Sequence, residues 1–103
     1  MRFRQVITLK SALLDLDEAK AFYDANDIGI GFYFIDSILS EIESLHLYAG
    51  IHPRQYGFYR MLSRRFPYGI YYDIKEERVR VAAILDMRRN PKWINKKLHS
   101  IVD

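Results

Sequence analysis

Residues 56–86 read YGFYRMLSRRFPYGIYYDIKEERVRVAAILD, and this stretch decides the fold. Apolar runs are separated by short polar turns. In residues 56–63 apolar and polar side chains alternate loosely, which predicts a strand. Ser63, Arg64 and Arg65 make a polar turn. In residues 66–74, Phe66, Tyr68, Ile70 and Tyr72 fall on one face, with Pro67, Gly69, Tyr71 and Asp73 on the other. That is the period of a half-buried strand. Pro67 is tolerable at a strand start, where its missing N–H is not needed by the ladder. A charged turn from Lys75 to Arg78 leads into residues 79–86, where Val79, Val81, Ala83 and Leu85 share a face. The centre of this run is apolar on both faces, as in a covered central strand. The short turns make the runs an antiparallel meander.

Upstream, the period becomes helical. Asp15, Leu16, Asp17 and Glu18 read as a capping box, with Asp15 placed to accept first-turn amides and Glu18 following three residues on. The carboxylates complement the positive end of a helix dipole. Leu16, Ala19, Phe22 and Tyr23 then recur at helical spacing, which predicts a helix over 15–26, stopped by Asn26, Asp27 and Gly29. A second helix is expected over 31–47. Phe32, Ile35, Ile38, Leu39, Ile42 and Leu45 form its apolar stripe, and Asp36, Ser40, Glu41 and Glu43 turn outward. So short a break makes the helices an antiparallel hairpin. Residues 48–55, with Gly50 and Pro53, read as a loop. Residues 3–9, with Phe3, Val6, Ile7 and Leu9, read as a strand joining the sheet at or near an edge. Residues 87–103 are a basic tail in which Pro91 and Trp93 open a final helical turn. The order is β-α-α-β-β-β, an α+β fold of two layers, in which an antiparallel sheet of about four strands packs against the helical hairpin.

Composition narrows the class. At 103 residues the chain forms one domain, 1–103, around a single core. Half of its residues are apolar and 28% are charged, which excludes a disordered chain. The absence of cysteine excludes a disulfide framework, a thiolate metal site and a Cys nucleophile, and fits a reducing compartment. No apolar run approaches a membrane span, and the N-terminus does not read as a signal peptide. A cytoplasmic protein without membrane contact is expected. The net charge of +3 hides an asymmetry: residues 1–50 carry four basic and eight acidic groups, residues 51–103 twelve and five. This means either a basic face aimed at phosphates or an acidic partner, or halves that pair with each other.

The order of elements, together with several short motifs, resembles the RelE/ParE superfamily of toxins from bacterial toxin–antitoxin modules. Asp15 to Ala19 with Phe22 and Tyr23 resembles the family's first helix, and Gly31 and Phe32 through Ile42 its second. Ile51, His52 and Pro53 resemble the loop that holds the family's usual proline. Arg60, then Phe66-Pro67-Tyr68, then Tyr72, resemble the signature of the middle strands. Arg88, Arg89, Asn90 and Pro91 with Trp93 resemble the H-x-R-R-x-P-x-W ending. The resemblance implies a toxin of a plasmid stabilisation system, neutralised by a cognate antitoxin. It implies no metal and no small-molecule cofactor. ParE-like members poison DNA gyrase by binding. RelE-like members are endoribonucleases that cut mRNA on the ribosome without a metal. A non-toxic interaction domain of the same fold is the remaining alternative.

Metal-free RNA cleavage needs a base for the 2′-OH, an acid for the 5′-O, and cations for the phosphorane. Arg54, Arg60, Arg64, Arg65, Arg88 and Arg89 supply cations in the form best suited to phosphate. Set against the family's nucleases, Gly69 stands where a basic residue is common, Asp86 where His is common, and Trp93 where a Tyr is often used. The ParE-like reading is therefore preferred, and the catalytic candidates are Arg60, Arg89, Asp86 and His52.

Each candidate also has a purely structural reading. Arg60 contacts a target or lays its stem on Tyr59 or Tyr68. Arg64 and Arg65 bind the target or simply solvate a turn. Of the neighbours Arg88 and Arg89 only one faces the site, with Arg89 favoured. Asp86 pairs with one of these arginines or ends the strand through local amides. His52 is a turn residue, Tyr68 and Tyr72 are core, and Trp93 is a lid on the sheet end. Lys92, Lys96, Lys97 and His99 are a solvated helix face or a contact for a nucleic acid or an acidic antitoxin segment.

Overall fold

The computed structural model describes residues 5–101. Phe3 of the expected first strand lies outside them, as do the last two residues of the expected tail. The elements are β1 (Gln5–Thr8), α1 (Lys10–Asp24), α2 (Ile28–Glu43), the single turn α3 (Leu45–Tyr48), β2 (Arg54–Gln55), β3 (Phe58–Leu62), β4 (Tyr68–Lys75), β5 (Arg78–Asp86) and α4 (Pro91–His99). The sheet has five strands in the order β1-β5-β4-β3-β2. β3, β4 and β5 form the expected antiparallel meander. β1 takes the edge beside β5 but runs parallel to it, so the sheet is mixed rather than antiparallel. The strand beyond the expected set is β2. Tyr56 and Gly57, expected to begin a strand, instead form the two-residue turn between β2 and β3, with φ of 55° and 86°.

The helices begin earlier than their sequence signals indicate. The Leu9 N–H still donates to Val81 of β5 at 2.9 Å, and the chain turns directly from the sheet into α1 at Lys10. The expected capping box is therefore absent: Asp15 lies inside α1 and is buried. Asp27, expected to stop the first helix, starts the second by accepting the Gly29 N–H at 2.8 Å.

The buried seam of α2 is Gly31, Phe34, Ile38 and Ile42, continued by Leu45. Phe32 and Leu39 of the expected stripe are exposed. Apolar residues occur nearly all round this helix, so periodicity alone leaves its rotation open. In the rotation adopted, residue 31 faces α1 closely: a Cβ there would stand 1.7 Å from Asp24 Oδ1, so a larger residue would require the Asp24 side chain to move. Phe34 then packs among Tyr23, Phe66 and Tyr68 at ring-centroid separations of 4.9–5.1 Å.

Alternation along β5 breaks at Ala82. Tyr71 lies opposite Ala83 and Tyr72 opposite Val81, so Ala82 is an extra residue, a β-bulge. Val79, Val81 and Ile84 pack under the helical hairpin, whereas Ala83 and Leu85 pack on the opposite face with Ile94 and Leu98 of α4. The expected shared face of residues 79, 81, 83 and 85 is thus split. The final helical turn is a full helix, and it adds a partial third layer to the expected two.

Candidate functional site

The end of β5 carries the family-like arginines. After Asp86 the chain bends so that Met87 N–H reaches Pro67 O at 2.7 Å and Arg89 N–H reaches Asp86 O at 3.1 Å. Asn90 then caps α4 by accepting the Lys92 N–H at 2.8 Å. Asp86 fills both roles considered for it. One carboxylate oxygen accepts the Arg88 backbone N–H and Nε at 2.9 Å, and the other accepts an Arg88 terminal nitrogen at 2.8 Å. The Arg88 guanidinium holds the Asp86 carboxyl below its ordinary range, and Asp86 in turn raises the arginine. Arg89 diverges from its neighbour and lies over the Trp93 ring, 3.8 Å from its centroid.

Arg60 belongs to the sheet face that carries α4. It pairs across the ladder with Tyr71 and donates to the Gln55 side-chain oxygen. Its Nε is buried without a hydrogen-bond partner among the described residues. Tyr59 and Tyr68 face the helical hairpin instead, so they are not what the Arg60 stem lies on. Beside Arg60 the backbone of Gly69 leaves a space that Met87 occupies. A Cβ at residue 69 would stand 2.6 Å from Met87 Sδ and 3.4 Å from Arg60 Cγ. Tyr71 OH donates to the same sulfur at 3.5 Å. Burial raises the Tyr71 hydroxyl above its ordinary value.

The other candidates lie elsewhere. His52 Nδ1 meets Tyr72 OH at 2.5 Å on the hairpin face, where Tyr72 also accepts the Gly50 N–H at 2.9 Å. Burial lowers the His52 pKa. Arg64 and Arg65 follow β3 and turn toward α2. The Arg64 N–H donates to Glu41 at 3.1 Å, and Arg65 donates to Tyr33 OH at 2.8 Å. With Asp36, Ser40, Tyr48 and Leu62 they line a groove of about 600 Å³ between α2 and β3. The structure therefore brings Asp86 and Arg88 together, sets Arg89 beside them on Trp93, and keeps Arg60, His52 and the Arg64–Arg65 pair in separate places.

Sequence reading missed a cleft of about 250 Å³ between α1 and α4, across the end of β5, lined by Asp15, Glu18, Phe22, Arg89, Trp93 and Lys97. Its distinctive group is Asp15. One oxygen accepts the Ile84 N–H at 3.0 Å, and one turn earlier Ser11 Oγ donates to the Ala82 carbonyl at 2.6 Å. These side chains serve the edge of β5 where β1 has ended. Burial pushes the Asp15 carboxyl up to about 6. The signal was present: Asp15 sits within the helical spacing of Ala12, Leu16 and Ala19, a charge on a core stripe. Among the described residues, no group of three or more His, Asp or Glu is placed to hold a metal ion.

This architecture has a solved counterpart. A chain of the chromosomal ParDE TA system from P. aeruginosa matches with a TM-score of 0.73 over 80% of this chain and 94% of that one, at 16% identity. The fold is ParE-like. No family model matches the sequence, and no curated protein matches it. The fold expected from the resemblance is the one found, with the added strand and the parallel edge described above. No helix among the described residues is long and apolar enough to cross a membrane.

Proposed function

We propose that this chain is the toxin of a type II toxin–antitoxin module, of the plasmid stabilisation kind. In this reading it is a cytoplasmic protein, held inactive by a cognate antitoxin, and it acts by gripping a macromolecular target such as DNA gyrase rather than by cutting RNA. The fold shared with a chain of a ParDE TA system supports the module. The observation that carries the binding mode is the contact between Gly69 and Met87. The position at which related nucleases place a basic residue has no side chain here, and a thioether fills the space beside Arg60. A thioether neither accepts nor delivers a proton usefully, so Arg60 faces a neutral surface. Of the candidate proton carriers, Asp86 is ion-paired to Arg88 and His52 is bonded to Tyr72 on the other face, while the Tyr71 hydroxyl beside Arg60 donates to the Met87 sulfur and burial holds its pKa above the ordinary value. General acid–base catalysis requires the proton carrier within hydrogen-bond reach of the phosphate site.

The test is expression in cells, with primer extension on transcripts run beside a DNA supercoiling assay on gyrase. The expected result is inhibited supercoiling with intact messages. Cuts positioned by codon, with supercoiling unaffected, would replace this reading with the RelE-like one. Co-purification with the product of the adjoining reading frame tests the antitoxin, and failure to form a stoichiometric complex would count against the module.

A further inference from the structure

We infer that the outer side of α4 is a contact surface for the phosphate backbone of duplex DNA, a property beyond the toxin reading and independent of which target that toxin takes. The helix buries Ile94 and Leu98 against the sheet. The opposite side, three and four residues along the same turns, carries Lys92, Lys96 and His99, all exposed. Arg89 stands at the same end, exposed, over Trp93. Residues 87–101 contain five Lys or Arg and no carboxylate. Only Arg88 of these is ion-paired among the described residues, to Asp86. Lys97 leans the other way, into the cleft with Asp15. Arg89 borders the same cleft but is exposed, and with Lys92 and Lys96 on the outer side of α4 it is an exposed cation outside any ion pair among the described residues.

The make-up of this surface selects the partner. It offers no exposed large apolar side chain; among the described residues those lie on α1, α2, α3, the loop after α3 and the end of β3. Protein interfaces depend on buried aromatic and apolar anchors at their centre. A nucleic-acid backbone needs none, because the release of its condensed counterions carries the affinity. Single strands are held by stacking on open aromatic rings. Here Trp93 is half-buried and already covered by Arg89. A helix with cations on its outer side fits the wide major groove of B-form DNA, whereas the corresponding groove of duplex RNA is too narrow for it.

The purified protein is titrated into a fluorescent 20-base-pair DNA duplex from about 25 to 200 mM salt, with anisotropy as the readout, a range in which phosphate contacts dominate. The expected behaviour is sequence-independent binding whose log–log salt slope is about −3, for roughly three phosphate contacts. K92A/K96A is expected to weaken binding at low salt by about tenfold and to flatten the slope by about 2. K10A/K75A removes the same net charge at exposed positions away from α4 and is expected to change neither. Absence of salt-dependent binding overturns the inference, as does equal weakening by both double variants. Equal affinity for duplex RNA, or for polyglutamate of matched charge, also overturns it, the latter in favour of an acidic protein partner. Both substituted pairs are exposed, and a circular dichroism melt shows whether each variant is folded. None of these outcomes depends on gyrase or an antitoxin, so the inference and the toxin reading fail separately.

Discussion

The carboxylate of Asp15, in the middle of α1, accepts the backbone N–H of Ile84 at 3.0 Å, joining the first helix to the last strand across most of the chain. The contact falls just past the bulge at Ala82, where β5 no longer has β1 beside it. A strand edge facing a helix rather than another strand would leave donors unpaired, and a buried unpaired donor is costly. At pH 4, where the Asp15 carboxyl is protonated in the fold, Asp15→Leu is therefore expected to destabilise the fold by about 1–3 kcal/mol, the cost of orphaning the Ile84 amide. Urea unfolding measures it, and a cost indistinguishable from zero would mean that the contact contributes nothing.

The same residue has a pH signature. Folding raises its pKa from an ordinary 3.8 to about 6, chiefly by burial. The folded chain holds this proton more tightly than the unfolded chain. The group's favourable contribution is complete below about pH 3.8 and is lost as pH rises through about 6. Asp15→Asn keeps an acceptor for Ile84 and removes the charge. Relative to the parent it is expected to be more stable at pH 8, by on the order of 2 kcal/mol, and to lose that advantage at pH 4. His52 acts in the opposite sense: burial lowers its pKa, so its contribution falls as pH drops below its ordinary 6.5. Comparing variant with parent at each pH cancels the histidine. An advantage independent of pH would contradict the assignment.

Gly69 and Met87 form a second coupled pair. Gly69→Ala places a methyl 2.6 Å from the Met87 sulfur and 3.2 Å from the Tyr71 ring, with backbone ladders holding the strand in place. Overpacking of this kind is expected to cost about 1–2 kcal/mol. Met87→Ala should recover part of that cost in the Gly69→Ala background, giving a double-mutant coupling of about 1 kcal/mol. Strictly additive effects would show that the sulfur is not what fills the space.

The turn between β4 and β5 is locally unfavourable. Glu76 and Glu77 both adopt positive φ, 53° and 66°, in a two-residue hairpin of the kind usually built from Asn-Gly. A side chain in this left-handed region costs about 1 kcal/mol or more per residue. The double substitution E76N/E77G is expected to raise stability by about 1–2 kcal/mol, seen as a higher Tm. An unchanged or lower Tm would argue that the glutamates make compensating contacts.

Tyr72 links the loop after α3 to the sheet, accepting from Gly50 N–H and meeting His52. Tyr72→Phe removes both partners at once while preserving the buried ring. A loss of about 1–2 kcal/mol is expected, together with faster amide exchange at Gly50. Unchanged exchange there would mean that the loop is held by other contacts.

Local chemistry determined the order of elements in this chain. Period-two alternation in 66–74 and period-three-to-four recurrence in 31–47 express how side chains project from a strand or a helix, and each needs only neighbouring residues to be legible. The hairpin followed by a meander was readable at that level, as were the arginines at the end of β5; the family likeness rested on the resemblance of several short motifs taken in order. Tertiary structure decided the rest, because those outcomes depend on which surfaces meet. Gly31 against Asp24 goes with a rotation of α2 that buries Phe34 rather than Phe32. The bulge at Ala82 moved Ala83 and Leu85 to the opposite face, and α4 covered them. Burial turned Asp15 from an expected cap into the partner of β5. The directions of the guanidinium groups were decided the same way. Asp86 claimed Arg88, Trp93 claimed Arg89 and Gln55 claimed Arg60, each being the acceptor or ring the fold brought within reach.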